Sequence, residues 1–292
     1  MSTLGFHLDG RICRVGCSFC YLGARRSVPA ETPDLAQTGE RTLAPELLGD
    51  IVREMVAGTG FGDIAVAVSE PAGRWRAGLS ALAQAARAHG VALAITTTPD
   101  VVANDPWVLD GASRVSLSID PEKGRPEKGR PEKGLAGGEV AADVLASALA
   151  ACELPGLEVV ALVSLSSPAF AAELERGLLE RLLAEPRLDL VALNGIKPPP
   201  PWCDRAFWLR FCARIAPLLD RHLHRRLHLD CYVGARIVGL GGCPAKPDVS
   251  PGREFRACVY QAAPDFVFAD AADLARRTAD YLPPAACPFE IR

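Results

Sequence analysis

Hydrophobic and polar positions follow two alternating periods along the chain, and this alternation predicts strands separated by helices. Short apolar segments rich in β-branched residues, such as DIAVAVSEP, VALAITTT, RVSLSID, LEVVALVSLS and LDLVALNGIK, are typical of strands. Between them lie segments with apolar residues three or four positions apart, such as APELLGDIVREMVAG, which predict amphipathic helices. With GFHLDG as a first strand, the chain has about six β-α units, so we expect parallel strands joined by right-handed crossovers.

The two faces of the predicted fourth strand, RVSLSID, differ in polarity. Ser116, Ser118 and Asp120 share one face, and the apolar residues between them occupy the other. A flat sheet covered by helices on both sides requires two apolar faces, whereas a polar face suits a lumen that holds a polar ligand. We therefore predict an α/β fold with a partial (β/α)6, TIM-like barrel rather than a doubly wound sheet, with His7, Asp9 and Asn194 also facing the lumen. In either fold the ligand is expected beyond the carboxyl ends of the strands.

Two segments fall outside this pattern. Residues 121–134, PEKGRPEKGRPEKG, repeat a polar unit that cannot build a core and predict a loop expansion, with a charged lid or docking loop as the alternative. Residues 228–292 leave the alternation and contain several cysteines. The predicted organisation is therefore a barrel over residues 1–227 and a small Cys-containing C-terminal extension over residues 228–292.

Composition limits the classes of partner. The chain has 292 residues, of which 49% are hydrophobic, and a net charge of −3, so a large core is expected but no nucleic-acid surface or anionic-membrane binder. It contains no long apolar run that would predict a transmembrane helix, and its N-terminus lacks the pattern of a signal peptide. We expect a cytoplasmic protein, in which the 10 cysteines stay reduced and need an explanation other than disulfides.

Three cysteines are gathered near the N-terminus in GRICRVGCSFCYLG. Cys13, Cys17 and Cys20 have the spacing C-x3-C-x2-C, and thiolates at this spacing can converge on one inorganic centre. A [4Fe–4S] cluster usually takes four cysteines, so three leave one iron open to a non-protein ligand. Zinc and chance clustering are the alternatives. A structural zinc site needs a fourth ligand, and the nearest candidate is His7, which precedes the motif.

The segment CRVGCSFC, placed after the first strand of a six-fold β-α pattern, resembles the radical S-adenosylmethionine superfamily. Cys13, Cys17, Phe19 and Cys20 match its motif, C-x3-C-x-aromatic-C. The resemblance, which covers about residues 5–200, implies a [4Fe–4S] cluster whose open iron binds S-adenosylmethionine. Reductive cleavage would then give a 5′-deoxyadenosyl radical that takes hydrogen from the substrate.

Such an enzyme is expected to act on a small molecule or a peptide. It would receive electrons from a donor such as flavodoxin or ferredoxin. The catalytic residues and the reaction are not assigned. The alternative from another class is a non-catalytic zinc-binding protein on the same fold.

Further residues agree with the resemblance. The second strand ends in VSEP, which is similar to the superfamily's GGEP-like turn, so Glu70 would bind the methionine amino group and Ser69 stands in place of a glycine. A solvated loop carboxylate is the alternative for Glu70. Ser116 and Ser118 would bind the ribose hydroxyls or the carboxylate of S-adenosylmethionine, and Asn194 joins them as a lumen residue. The superfamily's glycine-rich motif is not recognisable in ALVSLSSPAF.

The remaining cysteines fall into two groups. Cys152 and Cys212 lie in apolar helical patterns and are predicted to be small buried hydrophobes. A second group lies in Gly- and Pro-rich surroundings and is weakly similar to the SPASM and twitch extensions of radical enzymes. It predicts a second iron–sulfur cluster, with a structural zinc site or unrelated thiols as alternatives. This group comprises Cys231, Cys243, Cys258 and Cys287.

Overall fold

A parallel β-sheet forms the centre of the protein in this computed structural model. The structure describes residues 3–8, 43–59, 61–68, 72–119, 142–195, 202–223, 225–229, 247–258, 261 and 263–279. The strands in these ranges are β1 Thr3–Phe6, β2 Asp63–Ala67, β3 Ala92–Thr97, β4 Arg114–Ile119, β5 Glu158–Ser164, β6 Leu190–Asn194, β7 Leu227–Leu229, β8 Asp248–Ser250, β9 Glu254–Arg256 and β10 Phe266–Val267.

Helices connect most of the strands. The α-helices in the described ranges are α1 Pro45–Thr59, α2 Arg76–His89, α3 Pro99–Asn104, α4 Ala142–Ala151, α5 Pro168–Glu173, α6 Leu179–Ala184, α7 Arg205–Arg214, α8 Ala216–His222 and α9 Ala271–Ala279. The longest of them, α1, has 15 residues, and a transmembrane helix needs about 20. Within the described ranges no helix is long and apolar enough to cross a membrane.

Strands β1 to β7 lie in the sheet in the same order as in the chain. The sheet runs β10-β9-β8-β1-β2-β3-β4-β5-β6-β7, and β1 to β7 are all parallel to their neighbours. Right-handed crossovers between strands that advance in one direction place the connecting helices on one side of the sheet. A doubly wound sheet reverses its direction, and β1 to β7 do not. The predicted α/β fold with a parallel sheet is confirmed.

The two faces of the sheet differ in burial as the sequence predicted. In β4, Val115, Leu117 and Ile119 are at most 2% exposed and belong to the main hydrophobic core. Ser116, between them, is half-buried, and Arg114 is exposed. The apolar face therefore carries the core, and the opposite face remains open over much of its area among the described residues.

Two predicted helices are interrupted in the structure. The apolar spacing in RAFWLRFCARIAPLLDRHL predicts one helix, but Ile215 separates α7 from α8 with a φ of −93° and a ψ of 9°. Pro217 has no N–H and cannot continue the hydrogen-bond ladder of α7, which explains the break. A π-helical turn, Leu174–Leu178, joins α5 to α6, and Gly177 within it has a φ of +121° that favours glycine.

The described part of the C-terminal region continues the main sheet. Strand β8 is parallel to β1, and the N–H groups of Gly5 and His7 donate to the carbonyls of Pro247 and Val249, each at 2.8 Å. Strands β9 and β10 follow in antiparallel order, and α9 packs on α1. The sequence did not predict β8 to β10, because strands of two or three residues show no periodicity. The domain boundary at residue 227 stays a prediction.

The two faces can be compared by substituting neighbouring residues of β4. Leu117 is 0% exposed in the core, so Leu117→Ala is expected to lower the free energy of unfolding by about 2–5 kcal/mol through lost burial and a cavity. Ser116→Ala, on the open face, is the matched control and should change it by less than about 1 kcal/mol. Urea unfolding measures both, and equal losses would contradict the assignment of the faces.

Candidate functional site

The half-buried face of the sheet carries small and polar side chains towards the carboxyl ends of its strands. The register pairs Thr96 with Ser116 and Ser164 with Asn194, so these side chains lie on the same face of neighbouring strands. We call this surface the open face. It consists of Ala65, Ala67, Ala94, Thr96, Ser116, Ser118, Leu162, Ser164, Ala192 and Asn194.

Ser166 extends the open face beyond the end of β5. The backbone ladder continues past Ser164, because the N–H of Leu165 donates to the carbonyl of Asn194 at 3.1 Å. Leu165 is fully buried on the core side, so alternation places Ser166 on the side of Ser164. The Ser166 side chain is buried, and its Oγ has no hydrogen-bond partner among the described residues. Burying a hydroxyl without a partner costs about 1–3 kcal/mol, and a ligand that reached this atom would relieve that cost.

A second buried hydroxyl belongs to the other face. The Oγ1 of Thr97 also has no hydrogen-bond partner, and Thr97 is 3% exposed. The register pairs Thr97 with Leu117, which lies in the core. Thr97 is therefore not part of the open face.

A buried pair joins β1 to β8, on the same face of the sheet as Ala65 but away from β3 to β6. His7 Nδ1 lies 2.6 Å from Asp248 Oδ1, and the two side chains are 8% and 0% exposed. A Cβ added to Gly5 would lie 3.3 Å from Asp248 Oδ1, so the carboxylate leans across Gly5 to reach His7. This contact fixes the plane of the imidazole ring.

Three further polar residues surround this pair on β8 and β9. Arg256 is 3% exposed and lies opposite Asp248. Its guanidinium donates to Ser250 Oγ at 2.6 Å and to Glu254 Oε2 at 2.5 Å, while its Nε has no partner. We call His7, Asp248, Ser250, Glu254 and Arg256 the His7 cluster. Ionisable groups thus gather at β1, β8 and β9, and uncharged polar groups at the carboxyl ends of β3 to β6.

The structure describes four of the site residues predicted from the sequence, of which Cys258 is taken up below. Ser116, Ser118 and Asn194 lie on the open face, although no contact shown here tests the predicted binding of S-adenosylmethionine. The other predicted ligands and contacts lie outside the described residues, and their roles stay predictions. They are Cys13, Cys17, Phe19, Cys20, Ser69, Glu70, Cys231, Cys243 and Cys287.

Four cysteines lie in the described ranges, namely Cys152, Cys203, Cys212 and Cys258. Cys258 is half-buried just after β9, and its N–H donates to Gln261 Oε1 at 2.7 Å. In the ranges that the structure describes, no group of three or more His, Cys, Asp or Glu is placed to hold a metal ion. Cys152 and Cys212 are buried, as predicted, and burial raises the pKa of the Cys152 thiol to about 11. These two thiols therefore act as packing residues.

Sequence reasoning missed Ser166 and Asp248. Ser166 could have been found, because the alternation in LEVVALVSLSSP places it on the face of Ser164. Asp248 gave no signal, since its partner His7 is 241 positions away and the strand around it has only three residues.

Among known proteins, similarity to this chain is found in solved structures. No family model matches the chain, and no curated protein matches it. An HpcH/HpaI aldolase from Desulfitobacterium hafniense DCB-2 is 15% identical, with 79% of this chain and 87% of that chain covered and a TM-score of 0.34. At this identity and TM-score the likeness transfers no activity to this chain.

These findings contradict the predicted membership of the radical S-adenosylmethionine superfamily. No family model of that superfamily matches the chain, and the described residues hold no metal-binding group. The radical enzyme class and the reductive cleavage of S-adenosylmethionine, both inferred from the resemblance, are corrected with it. The physical reason is that one eight-residue motif carried the assignment, and a short motif does not specify a fold. The alternative, a zinc-binding protein, is likewise unsupported, because the described ranges hold no group of three or more residues that could bind the metal.

The unpartnered hydroxyl of Ser166 predicts an unusual effect on stability. Ser166→Ala removes a buried polar atom that makes no hydrogen bond, so the free energy of unfolding of the ligand-free protein is expected to rise by about 1 kcal/mol. Ser80→Ala, at an exposed position of α2, is the control and should change it by less than about 0.5 kcal/mol. Urea unfolding checks both, and a clear loss of stability in Ser166→Ala would show that the hydroxyl is satisfied.

Proposed function

We propose that the protein binds a small polar molecule over the carboxyl ends of β4, β5 and β6. The observation that carries this proposal is the buried Ser166 Oγ, which lies at the end of β5 without a hydrogen-bond partner. The adjacent Ser164 and Asn194 are half-buried and paired in register, so they can contact the same ligand. The carboxyl ends of parallel strands are the usual place for ligands in α/β folds.

The proposed architecture is a partial (β/α)6 barrel with the open face as its lumen. Support comes from the sequential order of β1 to β7 and from the small and polar residues that one face carries. The small residues Ala65, Ala67 and Ala94 leave room above the strands for a ligand. The Cys-containing extension would then follow the barrel along the chain.

The chemistry of the site favours a ligand with hydroxyl or carboxylate groups. Serine hydroxyls and the Asn194 carboxamide can each donate and accept hydrogen bonds. The described residues at the carboxyl ends of β3 to β6 include no Lys or Arg. The described part of this surface therefore offers hydrogen bonds rather than ion pairs to a ligand.

Calorimetric titration with S-adenosylmethionine, adenosine, ribose and L-malate tests the proposal. At least one probe is expected to bind saturably, and Ser166→Ala and Asn194→Ala should each weaken binding by about 3- to 10-fold, the effect of one hydrogen bond. Ser80→Ala should leave the dissociation constant unchanged. If the two open-face variants bind as tightly as the unmodified protein, the ligand lies elsewhere.

We also propose that Cys13, Cys17 and Cys20 bind a metal centre. This proposal is independent of the corrected family assignment and is supported by the C-x3-C-x2-C spacing and by the soft thiolate donors. The candidates remain an iron–sulfur cluster and zinc. Either one requires reduced thiols, in agreement with a cytoplasmic location.

Metal analysis after anaerobic purification tests this second proposal. The unmodified protein is expected to retain metal, and Cys17→Ala should lose it because one of three ligands is removed. Cys152→Ala is the matched control, since this buried thiol should not be a ligand. Acid-labile sulfide identifies an iron–sulfur cluster, and its absence with bound zinc identifies a zinc site. Equal metal content in Cys17→Ala and the control would refute the proposal.

A further inference from the structure

A cleft separate from the open face lies between α3 and α4. Its volume is about 280 Å³, near the lower limit for small-molecule sites. Helix α3 directly follows β3, and α4 precedes β5, so the cleft belongs to the helix layer on the core side of the sheet. It is lined by Asp100, Ala103, Asn104, Val144 and Ser147.

Asp100 is the ionisable residue among the described residues that line the cleft. It is half-buried, and burial raises the pKa of its carboxyl above the usual range. Its carboxylate accepts a hydrogen bond from its own backbone N–H, but in the described ranges it makes no ion pair and no hydrogen bond to another side chain. A carboxylate that is partly desolvated without a cation is unfavourable, and binding a cation would relieve this cost.

The rest of the lining is divided between polar and apolar side chains. Asn104 lies four residues after Asp100, one helical turn along the same face of α3. Ala103 and Val144 supply apolar surface from the two helices, and Ser147 lies about one turn beyond Val144 on α4. The cleft therefore combines one negative charge, a short apolar wall and two uncharged polar side chains.

We propose that this cleft binds a small aliphatic amine. The ammonium group would donate hydrogen bonds to the Asp100 carboxylate, and the alkyl chain would lie against Ala103 and Val144. A second polar group of the ligand, about four carbons away, would reach Asn104 or Ser147. This site is distinct from the proposed ligand site on the open face.

Other ligand classes fit the lining less well. Calcium takes six to eight oxygen ligands, usually from several carboxylates, and the lining supplies only one carboxylate. An anion would be repelled by Asp100. A neutral apolar molecule would desolvate the carboxylate further without compensating its charge.

Titration with putrescine, followed by calorimetry and by amide NMR shifts, tests the inference. Saturable binding is expected, with shifts concentrated at residues 99–104 and 142–147. Asp100→Asn should weaken binding by about 10-fold or more, because it removes the charge of a charge-assisted hydrogen bond. Asp110→Asn, at an exposed position ten residues later, is the matched control and should bind as the unmodified protein does.

Further comparisons separate this site from general electrostatic attraction and from loss of fold. The neutral isostere 1,4-butanediol should not bind, and Asn104→Ala, at an exposed side chain, should weaken putrescine binding about 3-fold. Ser166→Ala should leave putrescine binding unchanged, whatever its effect at the open face. No saturable binding, shifts scattered over the acidic surface, or equal affinity in Asp100→Asn and Asp110→Asn would each overturn the inference.

Discussion

The opposite polarity of the two sheet faces is the constraint on which the rest of the structure depends. Parallel strands in sequential order place their crossover helices on one side, so only that side can be covered by the chain's own apolar residues. Leucine, isoleucine and valine accordingly fill the covered face, and alanine, serine, threonine and asparagine occupy much of the open one. The covered face supplies the hydrophobic core, and the open face leaves strand residues accessible to a ligand.

The C-terminal region contributes most of the His7 cluster to this sheet. His7 and Asp248 meet because β8 lies against β1, and Gly5 permits the close approach of the carboxylate. Arg256, with Glu254 and Ser250, completes a nearly buried set of charged and polar groups. Buried charges of this kind require paired partners, so the short strands β8 and β9 are held in one register relative to β1. The ionisable groups at β1, β8 and β9 are thereby separated from the uncharged polar groups at β3 to β6.

The predictions that succeeded rest on local patterns. The helix α1, the strands β2 to β6 and the two faces of β4 follow from the spacing of apolar residues in single segments. Cys152 and Cys212 were predicted as buried residues from the same spacing. The prediction that failed, the superfamily assignment, rested on one short motif in residues that the structure does not describe. Its failure shows that a motif states a possible chemistry without fixing the fold or the function around it.

The sequence by itself determined the strands β2 to β6, the helix α1 and the polar face of β4, because these properties depend on neighbours within a few residues. Only the tertiary structure decided that β8 pairs with β1, that His7 meets Asp248, and that Ser166 is buried without a partner. The cleft beside Asp100 likewise exists only because α3 and α4 pack together. Such features depend on contacts between residues tens or hundreds of positions apart, which no local periodicity records.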